Sequence, residues 1–399
     1  MSLTAAPAAA PRPGRQCELR PPLLLQPWLL QGAIWCLVVG LYAVRLSRLL
    51  IFPMSLVVRW AAIIVVPFAL AALLAEWVAR PRHLRRWREL DYRRSQRWLL
   101  RLGVFWALCS AGEVLYSGGL PILWLLRHSA KNYGDFGIPS LHGLLNSLLL
   151  ALALSSLLLW LRSGERRFLI LPAFSLFWSL VVISRNLLVV DALQLMLLWG
   201  LFRGVRWSFV WRALLAASLL IWIFGAVGDA RSGAYAFRSL AQPTERLPGW
   251  LPSGFLWAYV YLATPLNNLL FTIQSRPPLH AWTLPNTTSL LFPSVIRKLV
   301  YRGGTAVSGL LMTKAFNVST AFVAPYRDLG AFGVAAYAAV WGAISGVAFE
   351  LRTDRARLAT AVLLQCALLS VFFNHYLYLP VIFQVLWFRL WPQARRVTV

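Results

Sequence analysis

The chain reads as an all-α polytopic membrane protein with about ten transmembrane helices. Three observations carry that reading. Apolar residues make up 59% of the 399 residues, and the mean hydropathy is +0.65. Apolar runs near twenty residues recur from end to end, the length a helix needs to cross the hydrocarbon core. The runs are continuous rather than alternating, which argues against a barrel and for helices, whose backbone is satisfied within one segment.

The formal charge is +26 and nearly all of it is arginine, since the only lysines are Lys131, Lys298 and Lys314. Basic charge on such a chain serves orientation, lipid headgroups or an anionic substrate. A nucleic-acid partner is excluded, because there is no soluble basic module to hold one. The four cysteines, Cys17, Cys36, Cys109 and Cys366, are scattered without metal-ligand spacing or a disulfide framework. The sequence contains no P-loop, GxGxxG, HExxH or paired-aspartate metal motif, so neither a metal nor a cofactor is expected.

Taken in order, residues 1–26 are rich in Ala and Pro and are expected to form a flexible cytoplasmic tail. They carry Arg12, Arg15 and Arg20 but no apolar h-region, so no cleavable signal is expected. Residues 27–228 form a bundle of seven spans, at 27–44, 59–79, 98–116, 141–161, 168–184, 187–202 and 211–228. The arginine-dense loop 80–97 is cytoplasmic by the positive-inside rule, and the basic loops RSGERR (162–167) and Arg203–Arg206 agree with it. Residues 229–328 make a large periplasmic region. One apolar run, 255–273, interrupts it; were it a full span, the basic segment 351–358 would fall on the wrong side. It is expected to be re-entrant or surface-lying, with its backbone broken around Pro265, Asn267 and Asn268. Spans at 329–349, 359–373 and 381–391 follow, and 392–399 is a second cytoplasmic tail. Gly342 and Gly346 have the spacing of a close helix–helix contact.

The candidate site residues gather on the outer face. The long region carries Arg231, Arg238, Arg246, Arg276, Arg297, Lys298, Arg302, Lys314 and Arg327 against only Asp229, Glu245 and Asp328. Positive-inside statistics do not govern a loop of this length. The excess fits an anion cavity, because the planar guanidinium makes paired charged hydrogen bonds to phosphate. Trp250, Trp257, Tyr259, Tyr261, Trp282 and Tyr301 offer aromatic faces beside it. RHSAKNYGDFGIPSLHG adds Arg127, His128, Lys131, Asn132, Tyr133, Asp135, Pro139 and His142. His142 and Asn146, four residues apart, share a helix face. Arg185, Asn186 and Asp191 stand at the turn between spans five and six, where Arg185 and Asp191 could pair or Arg185 could anchor at the interface. Asp328 stands before the span at 329 and is there either an N-cap or a catalytic carboxylate.

The blocks NYGDFGIPSLHGLLNSL (132–148), SRNLLVVDALQLML (184–197), YVYLATPLNNL (259–269) and FNVSTAFVAPYRDLGAFG (316–333) together resemble the bacterial oligosaccharide repeat unit polymerases, the Wzy-type O-antigen polymerase family. The last block is the most specific, with Asn317, Val318, Thr320 and Phe322 followed by Asp328 and Gly330; Leu329 departs from the aromatic usual there. The resemblance implies a multi-span fold similar to the GT-C-like lipid-donor glycosyltransferases in the bacterial inner membrane. It implies transfer of the growing glycan from undecaprenyl pyrophosphate to the non-reducing end of a new lipid-linked unit at the periplasmic face, without metal or cofactor. Donor and acceptor are then undecaprenyl-pyrophosphate-linked oligosaccharides within membrane lipid, with a chain-length regulator protein as a further candidate partner. Catalytic candidates are Asp328, Asp135 and His142. Substrate-binding candidates are Arg185, Arg302, Arg327, Lys314, Asn317, Tyr133 and Lys131. The competing expectations are a flippase or transporter of lipid-linked oligosaccharide, which would distribute polar residues through the membrane, and an O-antigen ligase.

Overall fold

A computed structural model of the chain describes residues 22–80, 91–127, 129–131, 133–301, 309–351 and 353–392. Every regular element among them is helical. In chain order these are α1 (Pro27–Val44), α2 (Met54–Ala79), α3 (Tyr92–Ser117), α4 (Pro121–Leu126), α5 (Leu141–Ser163), α6 (Ile170–Val181), α7 (Arg185–Arg203), α8 (Trp207–Ser232), α9 (Ala234–Ala241), α10 (Ser253–Ser275), α11 (Pro285–Thr288), α12 (Ser294–Val300), α13 (Val323–Glu350), α14 (Asp354–Leu369) and α15 (Leu379–Arg389). Local chemistry sets many of the ends. Asp91 caps α3 by accepting from Arg94 N at 3.0 Å, Thr353 caps α14 by accepting from Ala356 N at 3.2 Å, and Gly118 ends α3 in the left-handed region.

Among the described residues, six helical stretches are long and apolar enough to cross a membrane: Pro27–Val44, Met54–Ala79, Tyr92–Leu126, Leu141–Ser163, Arg185–Arg203 and Val323–Glu350. The chain is therefore all-α and multi-pass in character. Three of the other expected spans are too short for that standard. Helices α6, α14 and α15 have only 12, 16 and 11 residues, while α8 runs for 26 residues over the expected seventh span.

Two packing centres hold the molecule. Helix α5 is buried on all sides from Ser147 to Leu159 and touches α3, α6, α7 and α15. Its neighbours leave it no polar face, which is why its sequence is leucine all round. The most extensive contact joins α13 to α2. A Cβ on Gly342 would lie 2.2 Å from Phe68 O, and one on Gly346 would lie 2.4 Å from Ala72 O. The two backbones touch, as the glycine spacing predicts.

Two local expectations are corrected. First, α10 is one unbroken helix of 23 residues with Pro265 inside it. Its asparagines are tethers rather than breaks. Asn267 Oδ1 accepts from Tyr42 OH at 2.7 Å and from Ile51 N at 3.2 Å. Asn268 Nδ2 donates to Val318 O at 2.8 Å, and Asn268 Oδ1 accepts from Met312 N at 3.1 Å. Tyr259 OH accepts from Leu46 N at 2.9 Å. Positions eight residues apart on α10 thus hold the same short α1–α2 loop, so the helix runs along that loop. Second, α13 begins at Val323, not at 329. Residues 329–330 instead break it, with Leu329 at φ −136° and Gly330 at φ +62°, a value that suits glycine. Asp328 therefore lies inside the helix and caps nothing at 329.

Candidate functional site

The first group of polar residues is built where α3, the loop 131–140 and α5 meet. Glu113, three turns into the apolar part of α3, is almost fully buried. Its Oε2 lies 3.1 Å from His142 Nδ1, and its Oε1 accepts from Ile138 N at 3.1 Å. His142 Nε2 lies 3.0 Å from Asn146 Nδ2. With that amide as donor, the imidazole carries its proton on Nδ1, toward the carboxylate, and presents a lone pair at Nε2. A carboxylate that orients an imidazole in this way is an arrangement suited to general acid–base chemistry. The His142 side chain keeps 29% of its surface exposed, while that of Glu113 keeps 2%.

The loop is shaped to this pair. Gly137, at φ +95°, lets the backbone pass so close to the ring that a Cβ there would lie 2.6 Å from His142 Cγ. Ser117 Oγ accepts from Gly137 N at 2.9 Å, and Phe136 meets the imidazole edge-on at 5.4 Å. Lys131 is part of the clasp: its Nζ donates to Ser117 O at 2.9 Å and lies 5.3 Å from the Trp124 ring centre. Tyr133 and Asp135 are exposed on the same loop. Phe136 and Trp124 also share an apolar cluster with Val182 and Leu187, which brings the start of α7 beside the loop.

That contact assembles several expected residues around Tyr261 of α10. Arg185, exposed at the first position of α7, and Tyr133 are both close enough to Tyr261 to act on it electrostatically. Tyr261 stacks with Trp257 at 5.4 Å and meets the Phe316 ring at 5.4 Å. Beside Phe316, Asn317 and Lys314 are exposed. Asn268 holds this segment through the carbonyls of Phe316 and Val318. Tyr133 and Arg185 thus lie near Tyr261, the Phe316 ring contact sets the 314–317 segment beside Tyr261, and Tyr133 shares its loop with the residues that clasp His142.

Asp328 and Arg327 stand apart from it, in a strap. Asp328 Oδ1 accepts from Asn286 N at 2.9 Å and Asn286 Nδ2 at 2.7 Å, and Oδ2 accepts from Thr287 N at 2.8 Å. The residue is fully buried. Its carbonyl accepts from Ala281 N at 3.0 Å, that of Arg327 from Leu279 N at 2.8 Å, and Arg327 Nη1 donates to Pro277 O at 2.6 Å. This carboxylate fastens the 277–288 loop onto the α13 break and faces no open space. Arg302 lies outside the described residues, as do His128 and Asn132. Arg185 and Asp191 are not paired, because Asp191 is fully buried while Arg185 is exposed.

The sequence reading passed over Glu113 and a buried amide cluster. Gln194 Nε2 donates to Gln365 Oε1 at 3.1 Å and to Gln384 Oε1 at 3.0 Å, and Gln384 Nε2 donates to Gln194 Oε1 at 2.6 Å. All three are fully buried and join α7, α14 and α15. An ionisable residue inside an apolar helix was the available signal for Glu113. Comparison of the chain with protein-family models, curated proteins and solved structures finds no match.

Proposed function

We propose that the protein is a metal-independent glycosyltransferase of the bacterial inner membrane, an O-antigen polymerase type of enzyme working at the periplasmic face. In this reading about ten helices or half-helices sit in the bilayer in a GT-C-like arrangement, and α10 lies along the outer surface. The observation that carries the reading is the Glu113–His142 pair, a partly exposed imidazole oriented by a buried carboxylate, beside a surface bordered by Arg185, Tyr133 and Tyr261. A lipid-linked pyrophosphate is already a good leaving group. What the reaction then needs is a base for the acceptor hydroxyl and a cation for the departing phosphates.

The roles follow from placement. The hydroxyl at the non-reducing end of the new unit gives its proton to His142 Nε2, which Asn146 releases. Its oxygen bonds to the anomeric carbon of the growing chain, and the bond from that carbon to the pyrophosphate oxygen breaks. Arg185 receives the charge on undecaprenyl pyrophosphate, and Lys314 is the next candidate for that role. Asn317, Tyr133 and the Tyr261 face hold sugar, and Asp135 lies at the rim. Asp328 and Arg327 serve by fixing the strap. The flippase reading gains one observation, the buried glutamine cluster, but Gln194 and Gln384 spend their amides on each other and on Gln365.

The test is the lipopolysaccharide pattern of a deletion strain. The reading expects lipid A-core capped by a single repeat unit. Core with no repeat unit points to a flippase or ligase and sinks the proposal.

A further inference from the structure

At the opposite end of α3 from Glu113, Arg94, Arg97 and Arg101 recur at intervals of three and four, so they emerge from one helix face. With Trp98, Leu102 and Pro392 they line an open cleft of about 460 Å³. The far wall is fixed. Trp98 meets Trp391 edge-on at 5.0 Å, and Arg355 Nε donates to Trp391 O at 3.1 Å. One carboxylate stands at the rim, Asp91, whose Oδ2 lies 3.2 Å from Arg94 Nε. Arg97 commits its Nε to Arg93 O at 3.3 Å, and its terminal nitrogens donate to nothing else among the described residues. The cleft is thus strongly cationic and built around guanidinium groups, the side chains best matched to phosphate oxygens.

The same helix face continues as bare hydrocarbon. Phe105, Leu108 and Leu115 follow Arg101 at helical spacing and are 44%, 70% and 82% exposed. A Cβ on Gly112, between the two leucines, would meet nothing within 4 Å, so the face is notched there. From Phe105 to Leu115 the rise is about 15 Å at 1.5 Å per residue. That is half of a hydrocarbon core of about 30 Å, or one leaflet. A cationic cleft at the head of an exposed apolar track one leaflet long has the profile of a phospholipid.

We propose that this cleft binds an anionic membrane phospholipid, its phosphate held by Arg94, Arg97 and Arg101 and an acyl chain lying along Phe105, Leu108 and Leu115. Basic pockets of this kind at the ends of spanning helices take anionic headgroups, and one headgroup makes several charged hydrogen bonds there. The site is separate from His142 and does not depend on what reaction the protein performs.

The experiment measures the thermal unfolding midpoint of the purified, delipidated full-length protein in detergent. Dioleoyl phosphatidylglycerol, dioleoyl phosphatidylcholine and inorganic phosphate are titrated separately. Phosphatidylglycerol is expected to raise the midpoint saturably, as a ligand of the folded state does, and the other two are not. R97Q/R101Q changes only exposed side chains and is expected to need at least about tenfold more phosphatidylglycerol for half the shift, the loss of one or two charged hydrogen bonds. R101Q alone serves if the double variant is poorly made. R212Q, which removes an exposed charge elsewhere, is expected to respond as wild type. An equal response of R97Q/R101Q and wild type overturns the proposal. So does a shift produced by phosphatidylcholine, which would mean general lipid solvation, or by inorganic phosphate alone, which would mean a free-anion site.

Discussion

At the scale of single residues, the account turns on which carboxylate and which histidine do what. His142→Gln removes the proposed base and keeps a polar side chain of similar size. Transfer should fall about a hundredfold or more, with normal protein in the membrane. Glu113→Gln should also slow transfer, and should move the pH profile of the rate because the charge that orients the imidazole is gone; an unchanged profile would reduce Glu113 to a structural anchor. Asp328→Asn should act differently. Asparagine puts an NH2 against N–H groups that now donate to a carboxylate, and the stability loss should be about 1–3 kcal/mol, read as a lowered unfolding midpoint. A stable but inactive Asp328→Asn would return Asp328 to the chemistry. His375, in the turn between α14 and α15, is a separate case. Burial pushes its pKa from 6.5 down to about 4. The unfolded chain therefore takes up the proton first, so stability should decline as pH falls below about 6.5 and flatten near 4. His375→Leu should lose that part of the pH dependence in midpoints measured from pH 8 to 5. The sequence made some of this legible and hid the rest. His142 and Asn146 were readable as partners because four residues is one helical turn. Glu113 is 29 residues from His142, and only the loop folded back through Gly137 brings them together. Asp328 was a catalytic candidate from its place before the expected span at 329; in the fold α13 starts earlier and the carboxylate is buried against Asn286 and Thr287.

At the scale of elements, periodicity and length were enough for the long apolar helices, and turn chemistry misled. The spacing of Gly342 and Gly346 foretold the α2–α13 contact. A methyl group at Gly342 has no room against Phe68 O, so Gly342→Ala should cost about 1–3 kcal/mol or prevent accumulation. Gly103→Ala, on α3 with nothing within 4 Å of a Cβ, should be tolerated or slightly stabilising. Equal behaviour of the two variants would contradict the close packing. Pro265, Asn267 and Asn268 read as helix breakers in α10. In the fold, Pro265 is accommodated within a buried helix, and the asparagines spend their polar groups on the α1–α2 loop and the 312–318 segment. Polarity that looked like a break is a set of long-range tethers, and their partners lie too far along the chain to be seen in a local window.

At the scale of the whole molecule, charge pattern and element lengths give a multi-pass protein, and the proposed function fixes which way it faces. Reporter fusions after Arg97, Arg166 and Arg206 should be cytoplasmic, and those near Asn132 and Arg246 periplasmic. A cytoplasmic reporter at Arg246 would put α10 across the membrane, and a cytoplasmic reporter near Asn132 would put His142 on the wrong side for lipid-linked sugar. The central claim is the transfer itself, and it is tested most directly by reconstitution. Purified protein in proteoliposomes, supplied with the undecaprenyl-pyrophosphate-linked repeat unit and no metal or nucleotide, should produce a ladder of longer lipid-linked chains and release undecaprenyl pyrophosphate. The same amount of folded His142→Gln should produce almost none. A ladder of equal yield from His142→Gln, or no ladder from the folded wild-type protein with its authentic substrate, would contradict the account.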